Sequence, residues 1–104
     1  MSTPDVVVVG AGSNSLVAAA YLAKAGKKVL VLEKNRQCGG GVVSIEIAPG
    51  FIHDPHASGY YTCVATPTVQ SDELGLMSKF GLQWKKWSAG FATVQRILTN
   101  KNHY

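Results

Sequence analysis

Near its N-terminus the chain can hold a phosphate group without using a charged side chain. The stretch Val6-Val7-Val8-Val9-Gly10-Ala11-Gly12-Ser13-Asn14-Ser15 passes from β-branched apolar residues through two glycines into the start of a helical pattern. Gly10 permits a tight turn out of a strand, and Gly12 has no side chain to keep an anion from the main chain. The N–H groups at the helix start, around Asn14 and Ser15, then point at that anion, and the helix dipole favours its charge. About 20 residues further on, Glu33 directly ends the apolar run KVLVL, where a carboxylate accepts hydrogen bonds from ribose hydroxyls. Phosphate turn and ribose acceptor together describe a dinucleotide site. The acid disfavours a 2′-phosphate, which makes NADP a poor candidate. Ala11, between the glycines, and Lys34, after the acid, complete this part of the candidate set.

The elements that must position these residues follow from periodicity. Asp5–Val9 is a short, continuously apolar run suited to a strand buried on both faces of a parallel sheet. From Asn14 to Ala25, Leu16, Ala19, Ala20 and Ala23 recur at helical spacing, and the alanines make that face thin enough to lie close to a sheet. Gly26 is a natural stop, with Lys24, Lys27 and Lys28 at the negative end of the helix dipole. Lys28–Leu32 is a second buried-strand run. Strand, glycine turn, helix and strand make a right-handed βαβ unit, and with one good crossover helix one face of its sheet is expected to stay uncovered. Asn35–Gly41 is loop, Val42–Ala48 a strand, Pro49-Gly50 a turn and Phe51–Thr66 irregular. Thr66-Pro67 gives an N-cap and N1 proline for a helix running to Leu74, with a further helical turn ending at Gly81. Leu82–Trp84 and Phe91–Val94 are candidate short strands, and Gln95 onward carries no pattern.

The glycine pattern has Ser15 where G-x-G-x-x-G/A has its last small residue. That position serves helix–strand packing, so overpacking there costs about 1–3 kcal/mol if the contact is tight. Against that, replacing glycine in a helix recovers roughly 0.5 kcal/mol. The serine is expected to be tolerated.

The segment DVVVVGAGSNSLVAAAYLAKAGKKVLVLEKNRQCGGGVVSIEIAPGF resembles the N-terminus of flavin-dependent oxidoreductases of the phytoene desaturase type, a group that extends to phytoene-dehydrogenase-like enzymes and, more distantly, amine oxidases. The turn with Glu33, the pair Gly39-Gly40 after a basic loop, and the PGF-x-x-D stretch from Pro49 to Asp54 carry the resemblance, which covers residues 5 to about 84. It implies FAD as the cofactor. Gly10, Gly12 and the helix start would hold its pyrophosphate and Glu33 its adenosine ribose. Gly39, Gly40 and Gly41 would let the chain pass close to the diphosphate and flavin side. Ser44 stands where that family often has threonine. The implied architecture is α/β: a Rossmann-like FAD/NAD(P)-binding βαβ unit with an incomplete sheet over 1–84, and an irregular, divergent or truncated C-terminal extension over 85–104. Family members are several times longer, so the chain is expected to be an N-terminal fragment that binds FAD weakly and does not turn over alone. A small organic substrate would be met only in a full-length form. The alternative is a non-catalytic nucleotide-binding or interaction fragment pairing through an exposed sheet edge.

Other chemistries fit less well. Disulfide-reducing flavoproteins need a close cysteine pair, whereas Cys38 and Cys63 stand far apart. No secretory leader is recognised in MSTPDV, and two such cysteines suit a reducing, cytoplasmic setting. His53-Asp54-Pro55-His56 has no third ligand at metal spacing. By resemblance this segment lies near the flavin or the substrate channel, where a histidine could act as an acid–base group. Trp84-Lys85-Lys86-Trp87 is too short for an amphipathic membrane helix, so packed tryptophans and solvated lysines are expected. The net charge of +4 is scattered rather than gathered on one arm, which argues against nucleic acid. With 46% apolar residues in 104, the chain can form one domain.

Overall fold

A computed structural model describes residues 3–57, 65–86 and 94–97. The chain divides into two compact units, Met1–Ala57 and Ser58–Tyr104.

The first unit is built on the βαβ motif. Strand β1 (Val6–Val9) and strand β2 (Val29–Leu32) pair in parallel, with Val6 opposite Val29 and Val9 opposite Leu32. Parallel partners need a crossover, which is helix α1 (Ser13–Lys24). Its end is closed by two backbone bonds. The Gly26 N–H donates to the Ala23 carbonyl at 2.9 Å and the Lys27 N–H to the Leu22 carbonyl at 3.1 Å, with Gly26 left-handed at φ 83°. This is a Schellman closure, with Gly26 at the stop that the sequence marks.

Ala11, fully buried, and Ala19, 7% exposed, are the buried apolar residues among those described. Ser15, Leu16, Ala20 and Leu22 are half-buried along α1, while Ala23 is exposed. The expected face therefore ends one turn early. A helix of this length spans about 18 Å at 1.5 Å per residue, about one turn more than the roughly 13 Å of a four-residue strand.

The strands are not buried on both faces as their apolar runs suggest; as expected from a single crossover helix, one face is uncovered. Val6, Val8, Val29 and Val31 are half-buried, but Val7, Val9, Leu30 and Leu32 on the opposite face are exposed, Val9 to 81%. One crossover helix covers one face only.

Beyond β2 the expected strand over Val42–Ala48 is shorter. Gly40–Val42 forms a 3₁₀ turn, and strand β3 begins at Ile45 and runs to Ala48. The positive φ of Gly39 (128°) and Gly40 (58°) curls the chain there instead of extending it. Phe51–His53, read from sequence as irregular, forms strand β4, antiparallel to β3 around Pro49-Gly50, with a bulge between Glu46 and Ala48. The Glu46 carboxylate accepts the Gly50 N–H at 2.8 Å, closing the turn. This hairpin is a separate two-stranded sheet.

In the second unit Thr66 caps helix α2 (Pro67–Gln70), with Pro67 at its start as expected. The helix stops well before Leu74 because Asp72 is left-handed at φ 47°. The Asp72 carboxylate accepts the Met77 and Ser78 N–H groups, each at 2.9 Å, and so organises the turn over 76–80 that precedes Gly81. Those N–H groups, Met77 first, hold the Asp72 carboxyl below the usual aspartate value. Strands β5 (Gln83–Lys86) and β6 (Val94–Ile97) pair antiparallel, Gln83 opposite Ile97. β5 begins one residue later than expected and runs to Lys86; of the expected strand over Phe91–Val94, Val94 lies in β6 and residues 91–93 lie outside the described residues, and part of the stretch from Gln95 onward is strand. Trp87 and Cys63 lie outside the described residues.

The Gly26 position offers a stability check. An added Cβ there meets nothing within 4 Å, so only backbone conformation resists a side chain. Gly26→Ala should lower stability by about 1 kcal/mol, read as a lower urea midpoint with unchanged denaturant slope.

Candidate functional site

The site is assembled from three segments that the sequence separates: the β1–α1 turn, the residue after β2, and the glycine loop before β3. Gly10 leaves β1 with φ 91°, and its N–H donates to the Leu32 carbonyl at 2.7 Å, extending the sheet by one bond into the turn. Ala11 then buries its peptide. Its N–H donates to Glu33 Oε2 at 2.6 Å, and its carbonyl accepts the Gly39 N–H at 2.7 Å. A parallel bridge pairs Gly12 with Gly39. Gly12 is the N-cap of α1, and its carbonyl accepts the Leu16 N–H at 2.9 Å.

Gly40 lies against this turn: a Cβ on it would stand 3.1 Å from Gly12 Cα. Backbone cannot give way as a side-chain tip can, so the close approach of the two segments depends on the missing side chain at Gly40. Gly12 itself is different. Its φ of −71° and ψ of 167° suit any residue, and a Cβ there would meet nothing within 4 Å. Neither its own backbone nor its protein neighbours call for glycine. The first turn of α1 carries no acidic residue, and the N-cap makes no side-chain hydrogen bond. Open space over Gly12 at an uncapped, positively polarised helix start fits an anionic group brought to the main chain.

Glu33 is bound at both carboxylate oxygens, since Oε1 also accepts the Asn35 N–H at 2.9 Å. The Ala11 N–H first, and then the Asn35 N–H, hold its carboxyl below the ordinary glutamate value. It is therefore charged at neutral pH.

Of the sequence-derived candidates, Gly10, Ala11, Gly12, Glu33, Gly39 and Gly40 are joined by these bonds and contacts. Asn14 (exposed) and Ser15 (half-buried) sit in the first turn of α1, and the helix continues unbroken through Ser15. Lys34, Gly41 and Ser44 are exposed. The Gly41 carbonyl accepts the Ala57 N–H at 3.2 Å, and the Ser44 hydroxyl donates to the Asp54 carboxylate. Neither the pairing of Ser44 with Asp54 nor the role of the Asn35 N–H follows from the sequence motifs. A hairpin centred on Pro49-Gly50 would supply the signal for the first, because its register sets Ile45 opposite His53 and so brings Ser44 beside Asp54. His53 and His56 are exposed, and among the described residues no group of three or more His, Cys, Asp or Glu side chains is placed to hold a metal ion. No described helix is long and apolar enough to cross a membrane.

Residues 8–71 match the profile of the NAD(P)-binding Rossmann-like domain. The chain belongs to that family. One subunit of the limonene dehydrogenase of Castellaniella defragrans is 52% identical over 54 residues, which is 52% of this chain and 10% of that protein. Pyridine nucleotide-disulfide oxidoreductase domain-containing protein 2 of Rattus norvegicus is 41% identical over 68 residues, 65% of this chain and 11% of that protein. Thiamine thiazole synthase of Pyrococcus horikoshii is 31% identical over 93 residues, 89% of this chain and 31% of that protein. The match thus spans about a tenth of the first two relatives and under a third of the last. This Rossmann-like domain is of the dinucleotide-binding kind, and the Ala11 peptide joins its glycine turn to Glu33.

The Glu33 bonds give the domain a pH dependence. A carboxyl with a lowered folded value stabilises fully at neutral pH. It loses that contribution as pH falls from the ordinary glutamate value, about 4.3, through the lower folded one. Thermal midpoints should therefore fall over that acid range. Asp72 acts in the same direction, so the Glu33 share is read as the part of the acid slope that Glu33→Gln removes.

Proposed function

We propose that the domain binds FAD and serves a flavin-dependent oxidoreductase of the phytoene-dehydrogenase-like type, working in the cytoplasm on an organic, apolar substrate. The observation that carries the reading is Gly12, a glycine required by neither its conformation nor its neighbours, set over open space at an uncapped helix start. Such a residue is accounted for by a ligand that comes up to the main chain. The N–H groups of the first α1 turn, around Asn14 and Ser15, would hold the pyrophosphate, with Gly39, Gly40 and Gly41 flanking it. Glu33 would accept from the adenosine ribose. A carboxylate offers about four acceptor sites, and the Ala11 and Asn35 N–H groups take one on each oxygen. Its charge, held on by the Ala11 and Asn35 N–H groups, repels a 2′-phosphate and so favours FAD or NAD over NADP.

The choice of FAD rests on the second glycine loop folded against the first turn, together with the resemblance that the sequence carries. When bound, FAD supplies hydride acceptance from an organic substrate. The protein's part is to fix the diphosphate and ribose. An exposed Cys38, free of a disulfide, is in keeping with a reducing compartment.

Equilibrium titration with FAD, NAD and NADP tests the reading. FAD should bind with micromolar or weaker affinity and ahead of both pyridine nucleotides, and no turnover of organic substrates should accompany it. Gly12→Val should abolish binding, while Ser15→Gly should change it by less than about tenfold. Preference for NADP, or full binding by Gly12→Val, would overturn the assignment.

A further inference from the structure

The Glu33 carboxylate occupies an unusual place for a group whose assigned partner is a ribose. Its Oε2 accepts the Ala11 N–H at 2.6 Å, a short charge-assisted bond to a peptide that is itself fully buried. The carbonyl at the other side of Ala11 accepts the Gly39 N–H at 2.7 Å, and Gly39 is in turn bridged to Gly12. The orientation of the residue between the two turn glycines is therefore set from one side by the carboxylate and from the other by the glycine loop. We propose that Glu33 is a positioning residue for the phosphate-binding turn: through Ala11 it fixes Gly12 and seats Gly39-Gly40 against it, whether or not a ribose is present. The consequence for binding rests on the dinucleotide reading above; the positioning itself does not. One carboxylate then couples the ribose end of the site to the diphosphate end, and a ligand with no sugar still depends on it.

Two variants separate positioning from charge. Glu33→Gln and Glu33→Ala both remove the negative charge, but glutamine keeps an acceptor oxygen for the Ala11 N–H. The probe is inorganic pyrophosphate, which has no ribose, titrated into the full chain at neutral pH and followed by amide NMR shifts. If Glu33 acted only on ribose, both variants would bind pyrophosphate equally, and slightly more tightly than the native chain because a like charge is gone. If Glu33 positions the turn, Glu33→Gln should remain within about threefold of the native chain, while Glu33→Ala should bind about tenfold more weakly or worse. Equal binding by the two variants overturns the proposal.

A second measurement needs no variant and covers the case in which Glu33→Ala does not fold. In the native chain the Ala11 amide shift should follow a single carboxyl titration below the ordinary glutamate value, and the Gly39 amide should move with it. An Ala11 amide that does not respond to that titration overturns the proposal. Failure of the native chain to bind either pyrophosphate or FAD would instead count against the dinucleotide reading, and the Ala11 titration would still decide whether Glu33 sets the turn.

Discussion

The peptide of Ala11 is the constraint on which the first unit depends. It is fully buried, so its N–H and carbonyl cannot turn to water and must be paired within the chain. Its donor goes to Glu33, which follows β2, and its acceptor takes Gly39, which opens the glycine loop. One peptide group thereby ties together segments from three places in the sequence. A similar device closes the far end of the same sheet, where the Asp5 carboxylate accepts the Lys28 N–H at 2.8 Å and the Lys28 carbonyl accepts the Asp5 N–H. Two parallel strands of four residues are thus clamped by a carboxylate at each end. Only the Glu33 clamp stands beside a helix N-terminus, and there the chain can receive an anion.

The glycines around that point divide into two kinds. Gly40 is required by the protein, because a side chain on it would meet the Gly12 backbone. Gly12 is required by nothing within the described residues. The distinction separates glycines that shape a fold from a glycine that leaves room for something else. Ser15 lies on the half-buried side of α1, one turn before the buried Ala19, and the helix runs through it unbroken.

The βαβ unit is legible in the sequence because its signals are local. The valine run, the Gly10 and Gly12 punctuation, the alanine-rich period and the Gly26 stop each specify an element without reference to distant residues, and Glu33 falls at a spacing set by that unit. The features that are not legible depend on partners far along the chain or on a single backbone conformation. A continuous apolar strand looks the same whether it has one covered face or two, so the exposure of Val7 and Val9 is signalled by the single crossover helix and not by their types. The Phe51–His53 strand exists only through its pairing with Ile45–Ala48, and its polar, histidine-rich surroundings obscure it. The early end of α2 is hidden because nothing in its apolar spacing records that Asp72 turns left-handed and commits its carboxylate to Met77 and Ser78.

The uncovered face bears on how the site works. With Ala11 and Ala19 as the buried apolar residues described, hydrophobic burial contributes little to holding the turn, and the ordered geometry rests largely on hydrogen bonds between loops. Such bonds contribute only about 0.5–1.5 kcal/mol each, net of water, with charge-assisted ones stronger. A ligand that binds only the assembled turn adds its own stabilisation, about 2.7 kcal/mol at a hundred times its dissociation constant. That increment is comparable to several of the loop hydrogen bonds together. Dinucleotide binding would therefore stabilise the assembled turn by an amount comparable to the bonds that hold it. Val7, Val9, Leu30 and Leu32 stand on the face opposite the one under α1, so whatever covers them would strengthen the same two strands from which the turn and Glu33 emerge.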